Sequence, residues 1–223
     1  MSHELTLREI RKATHDTHHL IFDRPEGFDF IPGQAIEMTL QKDGWTDEGR
    51  PFTPISLPGE KTLEFIIKSY PSHDGVTEQV AKMEPGDKVK IEGPFGDMRD
   101  KGPGVFIAGG AGITPIIALL RKRLADEGDL AGSTLVFSNK TEADIIWRDE
   151  LSAMPGLTVA FSVTEGKGGT VPHQKLNRDY LRQFIEPGSL CYLCGPPPMM
   201  DAVQAELDAL GVDPGDLVAD DWT

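Results

Sequence analysis

The chain has 223 residues, 39% hydrophobic and 26% charged, the balance of a globular protein long enough for one large domain or two compact ones. Its 22 Lys and Arg against 36 Asp and Glu leave a net charge of −14, which argues against a binder of the nucleic-acid backbone, and no window approaches the ~18 apolar residues of a membrane helix. Only Cys191 and Cys194 are present, which excludes a disulfide scaffold; with no secretory-type apolar stretch at the start, a reducing, cytoplasmic setting is expected.

Up to residue 101 the chain reads as short strands of alternating apolar and polar residues, at 4–13, 17–22, 34–40, 62–70 and 88–92. Pro32-Gly33, Asp43-Gly44, Pro58-Gly59 and Pro85-Gly86 punctuate them, and one helix is expected at 76–83. This spacing predicts a small antiparallel β-barrel or sandwich. From residue 102 the rhythm becomes strand then helix. Strands are expected at 104–108, 134–138, 158–163 and 191–193, and helices at 116–125, 145–153, 178–184 and 199–210. That alternation predicts a parallel sheet with helices on both faces, a Rossmann-like α/β domain. The connector DKGP (100–103) divides a barrel domain, 1–101, from a nucleotide-binding α/β domain, 102–223. A cleft between two such domains is a common place for a ligand.

Four segments carry chemistry. GGAGITP (109–115) follows a buried-type strand and opens a helix. Its glycines let backbone N–H groups approach a pyrophosphate at the positive end of the helix dipole. Pro115 stands where the dinucleotide fingerprint has its third glycine, so a tight turn without a ligand is the competing reading. CGPPPM (194–199) occupies the same place between the last strand and the last helix, and ligands of open parallel sheets sit beyond the carboxyl ends of strands. Its prolines fix φ and make a stiff platform for a flat ring. Cys191 and Cys194, three apart on a strand, point to opposite faces, so neither a metal site nor a redox dithiol is expected. RPFTPIS (50–56) alternates cation, ring and hydroxyl. Arg50 suits a phosphate through its planar donor fork and Phe52 a flat ring system, although by themselves they also read as a surface Arg beside a core Phe. HDGVTEQV (73–80), followed by EGPFG (92–96), puts Gly75 and Thr77 at a helix start, which is an anion site or simply a Thr cap with Glu78 in the first turn. His15, His18 and His19 have no evident Cys or carboxylate partner, and no metal is expected there.

In this order the segments resemble the ferredoxin–NADP reductase superfamily over nearly the whole chain, and most of all its cytochrome b5 reductase and nitrate reductase branch. That branch shows an RPYTP-type segment, a GPxG turn, GGTGITP, an NxTExDI stretch and CGPPPM; here they read RPFTP, GPFG, GGAGITP, NKTEADI (139–145) and CGPPPM. The resemblance implies a flavin-binding barrel followed by a nicotinamide-nucleotide domain, with FAD favoured over FMN and NADH over NADPH. Arg50 would contact the flavin phosphate. Phe52, in place of the family's Tyr, would pack on the isoalloxazine, and Thr53 would bond near the reactive flavin nitrogen. Ile66, Ile67 and Lys68 would line the ring or ribityl through main chain, with Tyr70 near the phosphate or adenine side, and Gly75, Val76 and Thr77 would cap the pyrophosphate. Gly109, Gly110, Gly112 and Thr114 would hold the nicotinamide nucleotide, and Cys194, Gly195, Pro196 and Met199 its nicotinamide end. Thr53 and Cys194 would stand nearest the chemistry, which belongs to the cofactors and needs no acid–base pair.

With two Cys there is no iron–sulfur segment, so electrons would pass to a separate acceptor: a ferredoxin, a flavodoxin, a haem protein, a quinone or a ferric chelate. Acidic carriers would be repelled unless a local basic patch exists. The tail ADDWT (219–223) departs from the branch, and Trp222 is expected to cover the flavin face. Two other functions fit the same fold: a flavin reductase supplying a monooxygenase, and a non-catalytic regulatory subunit.

Overall fold

The computed structural model describes residues 2–70, 75–166 and 168–219, and its strands form two sheets. The first contains β1 (Ser2–Lys12), β2 (Thr17–Asp23), β3 (Ala35–Leu40), β4 (Gly49–Phe52), β5 (Thr62–Lys68) and β6 (Lys88–Phe95), all antiparallel, in the order β4-β3-β6-β1-β2-β5. Alternation decides which face turns inward. Leu5 and Leu7 of β1, Leu20 and Phe22 of β2, and Val89 and Ile91 of β6 are buried, while the residues between them meet solvent wholly or in part. Phe22 and Phe65 pack edge to face at 6.0 Å near the centre of this core.

The sheet closes on itself where the chain leaves β4. Pro54 bridges Phe65 of β5, and the Ile55 N–H donates to the Glu64 carbonyl at 2.8 Å. One edge strand thus runs onto the opposite edge, which makes a barrel and sets Thr53 in its seam. One short helix, α1 (Val76–Val80), follows β5.

The second sheet is parallel: β7 (Val105–Gly109), β8 (Thr134–Asn139), β9 (Thr158–Val163), β10 (Cys191–Cys194) and β11 (Leu217–Ala219), in the order β11-β10-β7-β8-β9. Every residue of β7 and β10 is buried, as expected of central strands covered on both faces. On one face Phe106, Leu135 and Phe137 pack with Ile113, Ile116 and Leu120 of α2 (Ile113–Glu127). On the other, Val105, Val136 and Leu193 pack with Leu181 of α4 (Arg178–Leu181) and with Val203 and Leu207 of α5 (Pro197–Leu210). The expected helix at 145–153 is shorter. Ile145 and Ile146 are buried ahead of it, Trp147 takes left-handed backbone at φ 52°, and α3 spans only Arg148–Ser152. The three-residue β11 was not expected, because so short a strand shows no period. No helix among the described residues is long and apolar enough to cross a membrane.

The lobes share a core. Ile55, Ile66 and Met98 of the barrel side belong to the cluster built on Phe106, Ile116 and Phe137. Arg121 of α2 reaches across to donate to the Ile55 carbonyl at 2.5 Å and to Glu60 at 3.0 Å. The connector is tied down from the second lobe. The buried Tyr192 hydroxyl donates to the Gly102 carbonyl at 2.8 Å and accepts from the Lys101 N–H at 2.8 Å, while Arg123 pairs with Asp100 at 3.0 Å. Burial, together with the nearby Asp100, pushes the Tyr192 phenol up to about 12. Replacing Tyr192 by Phe leaves Lys101 N–H and Gly102 C=O unpaired. It is expected to cost about 1–3 kcal/mol and to lower Tm by roughly 3–10 °C in calorimetry.

Candidate functional site

The strand order reverses between β7 and β10, which are hydrogen-bonded neighbours with Cys194 opposite Ala108. This is the switch point at which open α/β sheets leave a crevice. It brings the 109–115 and 194–199 turns side by side, beyond the carboxyl ends of adjacent strands. A cavity of about 390 Å³ opens there, walled on its other side by the barrel.

Most of the residues singled out from sequence meet in this cavity. From the barrel come Phe52, Thr53, Ile66, Ile67, Lys68, Tyr70 and Thr77; from the second lobe come Gly109, Gly112, Thr114, Cys194, Gly195 and Pro196. Five others stand elsewhere. The exposed Arg50 turns onto Glu48 at 2.9 Å and its own neighbour's carbonyl, Gly49, at 2.7 Å. Gly75 is the N-cap of α1, so Thr77 is inside the helix rather than its cap, and Val76 points into the barrel core. Gly110 takes left-handed backbone at φ 52° with open space where a side chain would point. Met199 lies behind the turn, its sulfur filling the space that side chains at Gly109 and Gly195 would need. Trp222 lies outside the described residues. Ala35, Pro51, Ala111, Pro115 and Pro197 also line the cavity and were not singled out, although all but Ala35 stand within a quoted motif.

Gly112 has a packing reason. A Cβ there would lie 2.5 Å from the Cys194 carbonyl, so only glycine lets the two turns touch. It is also the N-cap of α2, which has no side-chain cap and no acidic residue in its first turn. The Ile113 N–H at its head donates to the Gly110 and Ala111 carbonyls, so what the helix offers an anion is the positive end of its dipole. Apolar walls from Phe52, Ile66 and Pro196, hydroxyls from Thr53, Thr77 and Thr114, and this uncapped helix start fit a planar ring system joined to phosphates. Cys191 and Cys194 are both buried, outside any disulfide and on opposite faces of the sheet. Burial, with Asp216 nearby, pushes the Cys191 thiol up to about 11, which makes it inert.

Beside the cavity, an ion cluster spans the lobes. The Lys68 ammonium lies 2.8 Å from Asp16, in the turn between β1 and β2, and 3.1 Å from Asp144, in the 3₁₀ turn after β8. Burial opposes the charge on all three groups. The hydrogen bonds outweigh it, holding Asp16 and Asp144 below their ordinary 3.8 and Lys68 above its ordinary 10.5. His15 stands 3.6 and 3.9 Å from the two carboxylates, an arrangement that resembles a metal trio, but the ammonium already sits on both. His19, which sequence left without a partner, bonds Glu64 at 2.8 Å. A second cavity, about 540 Å³, lies beyond β8 and β9 and is lined by Glu142, Glu165 and His173 among others. Lys140 stands at its side, 3.9 Å from Glu165.

Two family models cover the chain: an oxidoreductase FAD-binding domain over residues 4–99 and an oxidoreductase NAD-binding domain over 106–205. NADH-cytochrome b5 reductase 2 of Mycosarcoma maydis is 30% identical over 225 residues, covering 91% of this chain and 64% of that protein. The ferredoxin–NAD(P)+ reductase component of the naphthalene 1,2-dioxygenase/salicylate 5-hydroxylase systems of Ralstonia sp. is 30% identical over 226 residues, covering 96% and 67%. Among solved structures, the cytochrome b5 reductase domain of Ulva prolifera nitrate reductase superposes with a TM-score of 0.84 at 23% identity, covering 98% of this chain and 97% of that one. The chain thus spans about two thirds of the length of these curated relatives and the full length of the solved domain.

Two outcomes are expected from this geometry. Gly112→Ala forces two backbones apart and is expected to cost about 1–3 kcal/mol in urea unfolding, against about 1 kcal/mol for Gly110→Ala, where only backbone strain opposes the change. The Asp16 and Asp144 contributions are fully present above pH 3.8 and vanish as pH falls through their lowered values; that of Lys68 is present below pH 10.5 and vanishes as pH rises through its raised value. The stability lost in Lys68→Met, about 3 kcal/mol, is therefore expected to be constant across the neutral range and to shrink at both extremes in melts recorded against pH.

Proposed function

The chain belongs to the ferredoxin–NADP reductase superfamily of FAD- and NAD-binding oxidoreductases, and we propose that it oxidises NADH and passes the electrons to a separate redox acceptor. FAD, held between these walls, would supply the hydride and electron-transfer chemistry. The protein's part is to hold two flat rings against each other in a site that excludes water. The single observation that carries this reading is the cavity at the switch point, whose two walls come from the FAD-binding and the NAD-binding domains. We take the boundary between them at residue 101, inside the connector.

In this reading Thr53, fixed in the barrel seam, offers its hydroxyl to the edge of the flavin ring, and Phe52 packs on the ring face. Ile66, Ile67 and Lys68 line it through main chain, with Tyr70 beside them. Gly75, Val76 and Thr77 give the pyrophosphate the start of α1, and Arg50 leaves Glu48 to meet a phosphate. Gly109, Gly110, Gly112 and Thr114 take the nicotinamide nucleotide at the uncapped start of α2. Cys194, Gly195 and Pro196 set its reactive ring, with Met199 supporting the turn from behind.

NADH is favoured over NADPH because the cavity beyond β8 and β9 presents Glu142 and Glu165, while Lys140 is already near Glu165. Arg148 is likewise engaged by Glu142, so the two carboxylates compete with a 2′-phosphate for both cations. The net charge of −14 favours an acceptor with a basic face over an acidic carrier such as a ferredoxin. Purified protein is expected to be yellow and to release FAD on denaturation. Stopped-flow titration should bleach the flavin with NADH at a kcat/KM at least tenfold above that for NADPH; a colourless protein that takes up no added flavin would overturn the reading.

A further inference from the structure

The Asp16–Lys68–Asp144 cluster is built so that one ammonium joins two independently fastened carboxylates. Asp16 uses Oδ1 to accept from the Thr14 and Thr17 hydroxyls at 3.0 and 3.1 Å, which leaves Oδ2 for Lys68. Asp144 uses Oδ2 to accept from the Thr141 N–H at 2.9 Å and the Thr141 hydroxyl at 2.6 Å, which leaves Oδ1 for Lys68. Each carboxylate is thus locked to its own lobe by one oxygen; Asp16 and Lys68 both belong to the barrel, so Asp16 steadies the ammonium there and Asp144 takes it across the junction. The Lys68 side chain is only 15% exposed, and those of Asp16 and Asp144 21% and 10%, so the pairs are poorly screened by solvent.

Lys68 ends β5, whose last three residues wall the cleft. The segment that carries Asp144 also touches both sides of the second lobe's business. Glu142, two residues before it, walls the second cavity and is pinned by Arg148 at 2.9 Å and by the Val171 N–H at 2.8 Å. Trp147, three residues after it, takes left-handed backbone at φ 52° and packs edge-on against His19 of the barrel at 5.6 Å. One short stretch therefore contacts the barrel at two points and the second cavity at a third.

We propose that Lys68 is a positioning residue: through Asp16 and Asp144 its ammonium sets the angle and separation of the two lobes, and so the distance between the rings they hold. This rests on the function proposed above. Neither carboxylate lines the cleft. Their influence on transfer would run through lobe placement, to which a reaction between two oriented rings is steeply sensitive.

The test is the set Asp16→Asn, Asp144→Asn and their combination, since each amide keeps an acceptor oxygen for its own lobe. A single change leaves the ammonium one carboxylate and is expected to slow flavin reduction by saturating NADH about threefold. The double change is expected to slow it about fiftyfold, more than the product of the singles, because the three groups form one network. NADH affinity and FAD content should stay at wild-type values. Amide exchange, read with or without flavin, should quicken at Thr141–Asp144 in Asp16→Asn, although the substitution is in the other lobe. If the double variant does not fold, adding Lys68→Met removes the unpaired charge, and the same slow reduction is expected. Wild-type reduction rates in flavin-loaded variants would overturn the proposal even if Tm falls, as would unchanged exchange at Thr141–Asp144. A wild-type protein that binds no FAD would instead overturn the functional reading, and the positioning role with it.

Discussion

Barrel side chains are buried in the core of the second lobe, and the rest of the structure depends on that. Ile55, Ile66 and Met98 are 0–3% exposed because the helices and sheet beyond the connector cover them. Pulling the lobes apart would return this apolar surface to water at about 25 cal/mol per Å². Ile66 is also a wall of the cleft, so the contact that joins the lobes and the surface that forms the site are parts of one strand.

Apolar contact holds two bodies together but leaves them free to slide, because it has little directionality. Charged and polar groups supply the direction. Arg121 spans from α2 to the Ile55 carbonyl and Glu60, Tyr192 and Arg123 fasten the connector, and Lys68 spans the two carboxylates on the other side of the cleft. A buried ammonium is costly unless it is paired, so a displacement that breaks those pairs is resisted more sharply than area alone would resist it. The cleft is thereby bounded by fixed geometry on several sides.

Much of this was legible in the residues. The alternation of β1, β2 and β6 and the strand–helix rhythm after residue 102 follow from side-chain periodicity, a local property, and the observed strand Thr158–Val163 matches its expected bounds. The turns 109–115 and 194–199 are legible because glycine frees the backbone and proline restricts it wherever they stand. Short irregular pieces were less legible. Ile145 and Ile146 look helical by pattern, yet the Thr141–Asp144 capping box turns the chain before them and α3 starts only at Arg148. Arg50 stands out by its donor fork and Met199 only by the family resemblance, but neither lines the cavity, because Glu48 engages the first and the glycines leave room for the second behind the turn.

Local pattern thus determined two lobes, one of alternating strands and one of strand–helix repeats, and the two turns where a ligand's phosphates could rest. Only the tertiary structure decided that β7 and β10 are neighbours, that β4 runs on to close against β5, and that Asp16 and Asp144, 128 positions apart in the chain, share one lysine. Periodicity records which way a side chain faces, but not which distant strand lies beside it. An ion pair across a lobe junction has no spacing rule at all, since it depends on how two folded bodies meet.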